Sequence, residues 1–404
     1  MPRPKLSDRV RGVAAKRLSA VEAEPRVSNQ HEFHGVAALR QLLGQDRQEF
    51  AARHLYLADS DEDKLTFDGR LTWYDSRKKT PNRTEFRLYY TGSEVADKMS
   101  AGDLMVLGLL TDGTALVVVA KKDSAAESQL RWLFGLQADL YGGAAFPVEG
   151  NVDRELGLAA RAVLSELDIE AADDGADWLE VVRDKFPDGL PSTARFAAFA
   201  RETLGDQVSA RDDPDATLIA WLERETALFM AWERDMVLRR LQQGFDDDVE
   251  AFVEFSKSVQ NRRKARAGLS LEHHVESIVR EHDLAYTRGG RTEVKSKPDF
   301  IFPTIDQYRD RHFDESRLTM LGAKTSCKDR WRQVLKEAAR IPDKHLLTLE
   351  PGISEAQTDE MRRHQLQLVL PRALHETYLP SQREWLWDMD RFLALVADRQ
   401  QAQD

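Results

Sequence analysis

Lys297-Pro298-Asp299-Phe300-Ile301-Phe302 and then Leu318-Thr319-Met320-Leu321-Gly322-Ala323-Lys324 decide how the C-terminal half folds. Each contains a short apolar run of strand length, the first headed by a proline–aspartate pair and the second closed by a lysine. A helix begins at Ser270, whose hydroxyl suits an N-cap, and another is expected from Asp329 to Arg340. Strands follow at His345 to Leu349 and Leu366 to Leu370, with a final helix from about Gln382 to Ala397. Helix, strand, strand, helix, strand gives an α/β core, a central sheet flanked by helices.

Upstream, Thr217 to Gln242 reads as a long amphipathic helix carrying Trp221 and Trp232, and Asp246 to Lys264 as a second. Before them, the acidic stretch Glu166 to Asp177 and the breakers Phe186-Pro187-Asp188-Gly189-Leu190-Pro191 read as a connector. The first 145 residues are strand-rich: Arg87 to Tyr90, Leu104 to Leu107 and Ala115 to Val119, with turn signals at Gly102-Asp103 and Asp112-Gly113. Helical periodicity appears only at Val36 to Leu43 and Ser128 to Leu136. The expected organisation is a mostly β domain over 1–165, an acidic hinge over 166–195 and the α/β domain over 196–404.

The bulk properties agree with two domains. The chain has 404 residues, 42% hydrophobic and 31% charged. A single cysteine, Cys327, excludes an internal disulfide and a multi-cysteine zinc site. No run approaches the ~18 apolar residues of a membrane span, and the basic N-terminus has no apolar segment behind it, so a cytoplasmic protein with no membrane partner is expected. The net charge of −11 is unevenly spread. Asn151 to Leu190 holds 4 Lys/Arg against 11 Asp/Glu, whereas Phe255 to His345 holds 20 against 13. Screening confines fields to about 8 Å at physiological salt, so local charge governs phosphate binding and the acidic tracts do not exclude a nucleic-acid ligand.

Phosphodiester hydrolysis with metal ions needs carboxylates to hold the metal and commonly a lysine near the attacking water. Asp299 at the head of one strand and Lys324 at the end of the next fit the PD…(D/E)xK pattern, except that Gly322 stands where the second acid is usual. His31 with His34, and His273 with His274, lack a matching third ligand for a metal. Cys327 reads as a packing residue.

The strings Asn261 to Glu272, Lys297 to Phe300, Lys324 to Gln333, His345 to Leu349 and Leu370-Pro371 closely resemble the C-terminal half of the EcoRII-type restriction endonucleases, of the PD-(D/E)xK nuclease superfamily. The resemblance covers roughly residues 245 to 400 and implies a restriction-endonuclease-like core. It implies that Glu337, on the helix after the lysine, supplies the missing acid, that Asp299 and Glu337 bind Mg²⁺, that Lys324 positions or activates the water, and that Glu272 supports the metal shell. Lys328-Asp329-Arg330 matches the family's triplet for reading C·G pairs, in which a basic side chain donates to guanine and a carboxylate accepts from cytosine N4; Asp329 could equally complement a helix dipole. Arg262, Arg263, Lys264 and Arg266 read as phosphate contacts or as a solvated helix face. Tyr308 also matches, but a metal–water mechanism needs no tyrosine nucleophile.

The N-terminal half resembles only loosely the family's barrel-like DNA-binding effector domain, through Lys16 to Ser19, Tyr74 to Arg77 and Ala101 to Asp103. Trp73, Tyr74, Arg77, Lys78, Lys79 and Arg83 then form either a DNA-contacting loop or a solvated loop over a β core. The implied protein is a dimeric type II site-specific endonuclease acting on double-stranded DNA at a 5′-CCWGG-like site, paired genetically with a DNA methyltransferase in phage defence. A modification-dependent endonuclease and a non-catalytic DNA-binding protein on a nuclease fold remain as alternatives.

Overall fold

The structure, a computed structural model, describes residues 6–24, 31–59, 63–78, 83–136, 144–147, 160, 163–165, 167, 176–292, 296–327 and 330–401, without the side chains of 144–147, 176, 177 and 264. It divides into two compact units, Met1–Ala172 with Pro351–Thr358 and Thr377–Leu379, and Asp173–Glu350 with Asp359–Glu376 and Pro380–Asp404. Among the described residues no helix is long and apolar enough to cross a membrane.

The first unit is built on one sheet of β1 (Val10–Arg17), β2 (Glu32–His34), β3 (Gln48–Leu57), β4 (Leu65–Asp75), β5 (Phe86–Tyr90), β6 (Leu104–Leu110), β7 (Ala115–Ala120) and β8 (Ala144–Pro147), in the order β2-β5-β4-β3-β7-β6-β1-β8. The pairings are antiparallel except that of β3 with β7. Strand side chains alternate between faces, and here both faces are covered. On β7, Leu116, Val118 and Ala120 join a core roofed by Leu130, Leu133 and Phe134 of the helix Ala125–Phe134, while Ala115, Val117 and Val119 join a second core with Trp73, Leu88 and Met105. That is why Ala115 to Ala120 is an unbroken apolar run. The sheet curls round the second core, which gathers residues from β1 through β7. Its order runs from β2 at one edge to β8 at the other, so among the described residues it is a curled open sheet.

The second unit has a helical layer and a five-stranded sheet. The helix Pro214–Gln243 starts where the Asp213 side chain accepts from the Ala216 N–H at 2.9 Å with Pro214 in the first turn, and it ends at Gly244, φ +76°. Asp248 caps the next helix in the same way, through the Ala251 N–H at 2.8 Å. That helix runs unbroken from Val249 to Glu281, where the sequence suggested two helices with a start at Ser270. Ser270 is not a cap; its buried hydroxyl donates to Glu225 at 2.6 Å. The segment read as a hinge holds the helix Ala176–Lys185, whose Val182 packs with Phe186, Phe196, Phe199, Leu228 and Phe229. Breaker residues thus shape a turn between packed helices.

The sheet orders β9 (Thr287–Arg288), β10 (Phe300–Phe302), β11 (Thr319–Lys324), β12 (Lys344–Thr348) and β13 (Leu366–Val369) as β13-β12-β11-β10-β9. The pairings β9–β10–β11 are antiparallel and β11–β12–β13 parallel, the mixed sheet expected of the α/β core. The Asp329 to Arg340 helix is largely replaced: only Trp331–Val334 is α-helical, and Ala338 turns left-handed at φ +48°. The last helix begins late, at Met389, because Trp387 first bridges to Val369 beside the sheet.

Candidate active site

Asp299 immediately precedes β10 and Lys324 ends β11. These strands run antiparallel with Phe300 opposite Leu321, which brings the head of one beside the tail of the other. Asp299 Oδ2 accepts from the Lys324 ammonium at 2.7 Å and from the Ala323 N–H at 2.7 Å. The pair stays open to solvent, the side chains 14% and 24% exposed, and Asp299 Oδ1 accepts no hydrogen bond among the described residues.

Gly322 shows why the usual acid is missing. A Cβ at this position would meet Val334 Cγ2 at 3.2 Å and Leu346 Cδ1 at 3.5 Å. A carboxylate would therefore enter an apolar contact at high desolvation cost, whereas glycine lets the Trp331–Val334 turn close onto β11. The chain beyond that turn carries Glu337, its N–H bonded to Val334 O at 3.1 Å. Glu337 Oε2 is buried without a hydrogen-bond partner among the described residues. Burial and then the Asp299 charge push its carboxyl up to about 7, against the opposing pull of Lys324 and Lys344. Asp299, Lys324 and Glu337 thus share one electrostatic site at the C-terminal end of β11, one carboxylate from the strand and the other from the turn.

Residues 229–393 match the family model described as EcoRII C terminal. Over 183 residues the chain is 43% identical to the type II restriction enzyme EcoRII of Escherichia coli, a match spanning 45% of each protein. Over residues 229–393 the chain is thus similar to the EcoRII C-terminal family, and the match spans about half the length of that curated relative. Among solved structures it resembles metal-depleted Ecl18kI in complex with uncleaved, modified DNA, at TM-score 0.46 and 16% identity over 58% of this chain and 88% of that one. It also resembles the restriction endonuclease PspGI–substrate DNA complex, at TM-score 0.43 and 14% identity over 52% of this chain and 93% of that one.

The other residues singled out in this part of the chain divide sharply. Glu272 is ion-paired with Arg288 at 2.9 Å, beside Glu276 at 2.8 Å on the same guanidinium. Arg288 lies opposite Phe300 on β10, so Glu272 approaches the site through Arg288, and among the described residues it makes no hydrogen bond to the three central ones. Tyr308 is 2% exposed, and its hydroxyl accepts from the Arg340 N–H at 3.3 Å. The Arg340 guanidinium ties down the carbonyls of Tyr308, Asp310 at 2.8 Å and Phe313 at 3.2 Å. Tyr308 therefore braces the Glu337 turn from behind. Arg330 is exposed and its side chain is unbonded among the described residues, while Lys328 and Asp329 lie outside them.

The basic helix residues, read from sequence as phosphate contacts or as a solvated face, do not share one environment. Arg266 is 8% exposed, ion-paired with Glu225 at 3.2 Å and stacked between Phe196 and Phe229 at 4.6 and 4.8 Å. Arg263 pairs with buried Glu233 at 2.5 Å, and Arg262 lies over Trp232 at 5.8 Å. The Lys264 side chain lies outside the described residues. His274 bonds Glu225 at 2.9 Å and Arg201 at 3.1 Å, and His273 bonds Arg288 at 2.7 Å, so both histidines serve packing networks. Cys327 is fully buried, its thiol pushed well up by burial and by Glu350. Glu350, which sequence reasoning missed, accepts from the Cys327 N–H at 2.6 Å and shapes the turn leading to Lys328.

In the first unit Trp73 is fully buried and donates to Gly44 O at 3.0 Å, so it is a core residue and not a DNA-facing one. Tyr74 bonds Glu32 and Arg77 pairs with Glu85. Lys78 and Arg83 are exposed, and Lys79 lies outside the described residues.

Proposed function

We propose that this chain is a type II restriction endonuclease that hydrolyses double-stranded DNA at a short C/G-flanked site of 5′-CCWGG type, with Mg²⁺ as cofactor. The observation that carries the proposal is the Asp299–Lys324 pair at 2.7 Å joined by the partnerless buried oxygen of Glu337. Two carboxylates with hard oxygens not taken up by hydrogen bonds among the described residues suit Mg²⁺, which takes one or two carboxylates and keeps most of its waters. Asp299 and Glu337 would hold the ion, which when bound stabilises charge on the attacking and leaving oxygens of an in-line displacement. The Lys324 ammonium, fixed by Asp299, orients the attacking water and offsets charge on the phosphate. Glu272 supports the edge of the site through Arg288.

Lys328, Asp329 and Arg330 read the flanking C·G pairs, and Arg262 with exposed neighbours follows the phosphates. A homodimer matches a near-palindromic site, one active site serving each strand. The domain over 1–165 acts as a DNA-binding regulatory or recognition module, with Lys78, Arg83 and Arg77 at its surface, and a cognate methyltransferase protects host DNA. The test is digestion of matched methylated and unmethylated plasmids with Mg²⁺ or with EDTA, followed by sequencing of the ends. The proposal expects Mg²⁺-dependent cuts of unmethylated DNA at one short motif. Cutting only the methylated plasmid supports the modification-dependent alternative, and no cutting of either supports a non-catalytic protein.

A further inference from the structure

We propose that Lys344 is a positioning residue for the metal site, holding in place the turn that carries Glu337. The inference rests on the reading of Glu337 as a metal ligand and assigns a role to a residue outside that set. Glu337 lies in an irregular turn, between the short helix Trp331–Val334 and Ala338 in left-handed backbone. No helix fixes its direction, so the turn needs other anchors. On one side the anchor is Arg340, through Tyr308, Asp310 and Phe313. On the other it is Lys344, the first residue of β12, whose ammonium donates to Ile341 O at 2.6 Å and Ala338 O at 3.3 Å.

Lys344 is only 6% exposed, and burying an ammonium costs several kcal/mol unless its surroundings compensate. Here the ammonium donates to two carbonyls of the turn, which ties the turn to the start of β12. Lys344 thus couples the carbonyl just after Glu337 to the sheet. Groups that orient metal ligands in this way typically contribute roughly 10- to 100-fold to metal affinity.

The experiment measures Mn²⁺ binding by electron paramagnetic resonance in the full-length protein and in Lys344→Met, Lys344→Gln and Glu337→Gln. Circular dichroism reports folding, and binding to duplex DNA in EDTA reports the nucleic-acid surface. The expected result is Mn²⁺ affinity lowered roughly 10- to 100-fold in Lys344→Met, less in Lys344→Gln, which keeps a donor, and unchanged DNA binding in EDTA. If Lys344→Met does not fold, Lys344→Gln decides. A folded variant of either kind with wild-type Mn²⁺ affinity overturns the proposal. If Glu337→Gln itself binds Mn²⁺ normally, the ligand assignment fails instead, so the two failures are told apart.

Discussion

Glu225 is a buried acid and Glu337 a half-buried one with its Oε2 covered, both within the second unit, and their surroundings differ completely. Glu225 accepts from Ser270 at 2.6 Å, His274 at 2.9 Å and Arg266 at 3.2 Å. Burial raises its carboxyl, but the bonds from His274 and Ser270 and the Arg266 charge bring it below the usual carboxylate range. Glu337 keeps a buried oxygen with no partner among the described residues, and burial with Asp299 lifts it to about 7. A satisfied buried ion cluster fixes how helices pack; an unsatisfied one retains binding capacity for something else. The contrast separates a structural network from a candidate active site without reference to any relative.

The sharpest way to break this contrast is to truncate the unsatisfied cluster. Asp299→Ala or Lys324→Ala is expected to lower the cleavage rate by roughly 10³-fold or more, about 4 kcal/mol in the barrier. Folding and DNA binding in EDTA should persist, since phosphate contacts carry most of the affinity. Wild-type cleavage by either variant removes the site.

Truncating the satisfied cluster should do the reverse. Glu225→Ala leaves Arg266 and His274 buried without their acceptor, at a cost of about 3–5 kcal/mol in unfolding free energy. Urea titration measures this loss, and Mn²⁺ affinity at low temperature should remain that of the wild type. A variant of normal stability would mean that the network is ornamental.

Arg330 offers a smaller contrast, between reading and holding. Arg330→Ala is expected to weaken binding to the specific duplex by about 1–3 kcal/mol while sparing random DNA. Equal losses on both, measured by fluorescence anisotropy across a salt series, would make it a phosphate contact.

The pH dependence sharpens the account of Glu337. Its proton must leave before a metal binds, so affinity is full above about 7 and falls as pH drops below that value, by about tenfold per unit where one proton is released. In the metal-free protein the sign for stability is opposite. A raised carboxyl favours the folded state below the ordinary carboxylate range, and that contribution is lost as pH rises through about 7. Metal titrations from pH 5.5 to 8 on wild type and Glu337→Gln check this, since the variant lacks the titrating group.

These contrasts mark where sequence was informative. Asp299 and Lys324 could be read directly, because each sits at the end of a local apolar run whose strand character needs no distant partner. Glu337 came only through resemblance, on an expected helix that the left-handed Ala338 replaces with a turn. The glycine at 322 looked like a defect until Val334 and Leu346 filled the space beside it. Arg266 and Ser270 were misread because their acceptor, Glu225, lies on another helix and no local pattern reveals which face turns inward. Trp73 was misread for the same reason, since both faces of the curled sheet are buried and an aromatic beside basic residues need not face outward.

The central claim is most directly tested by digesting plasmid DNA with wild-type protein and with Lys324→Ala, each with Mg²⁺ or EDTA, and sequencing every new end. The account predicts that only wild type with Mg²⁺ cuts, at one short motif, leaving 5′-phosphates. Equal cutting by Lys324→Ala, or cutting by wild type in EDTA, would contradict it.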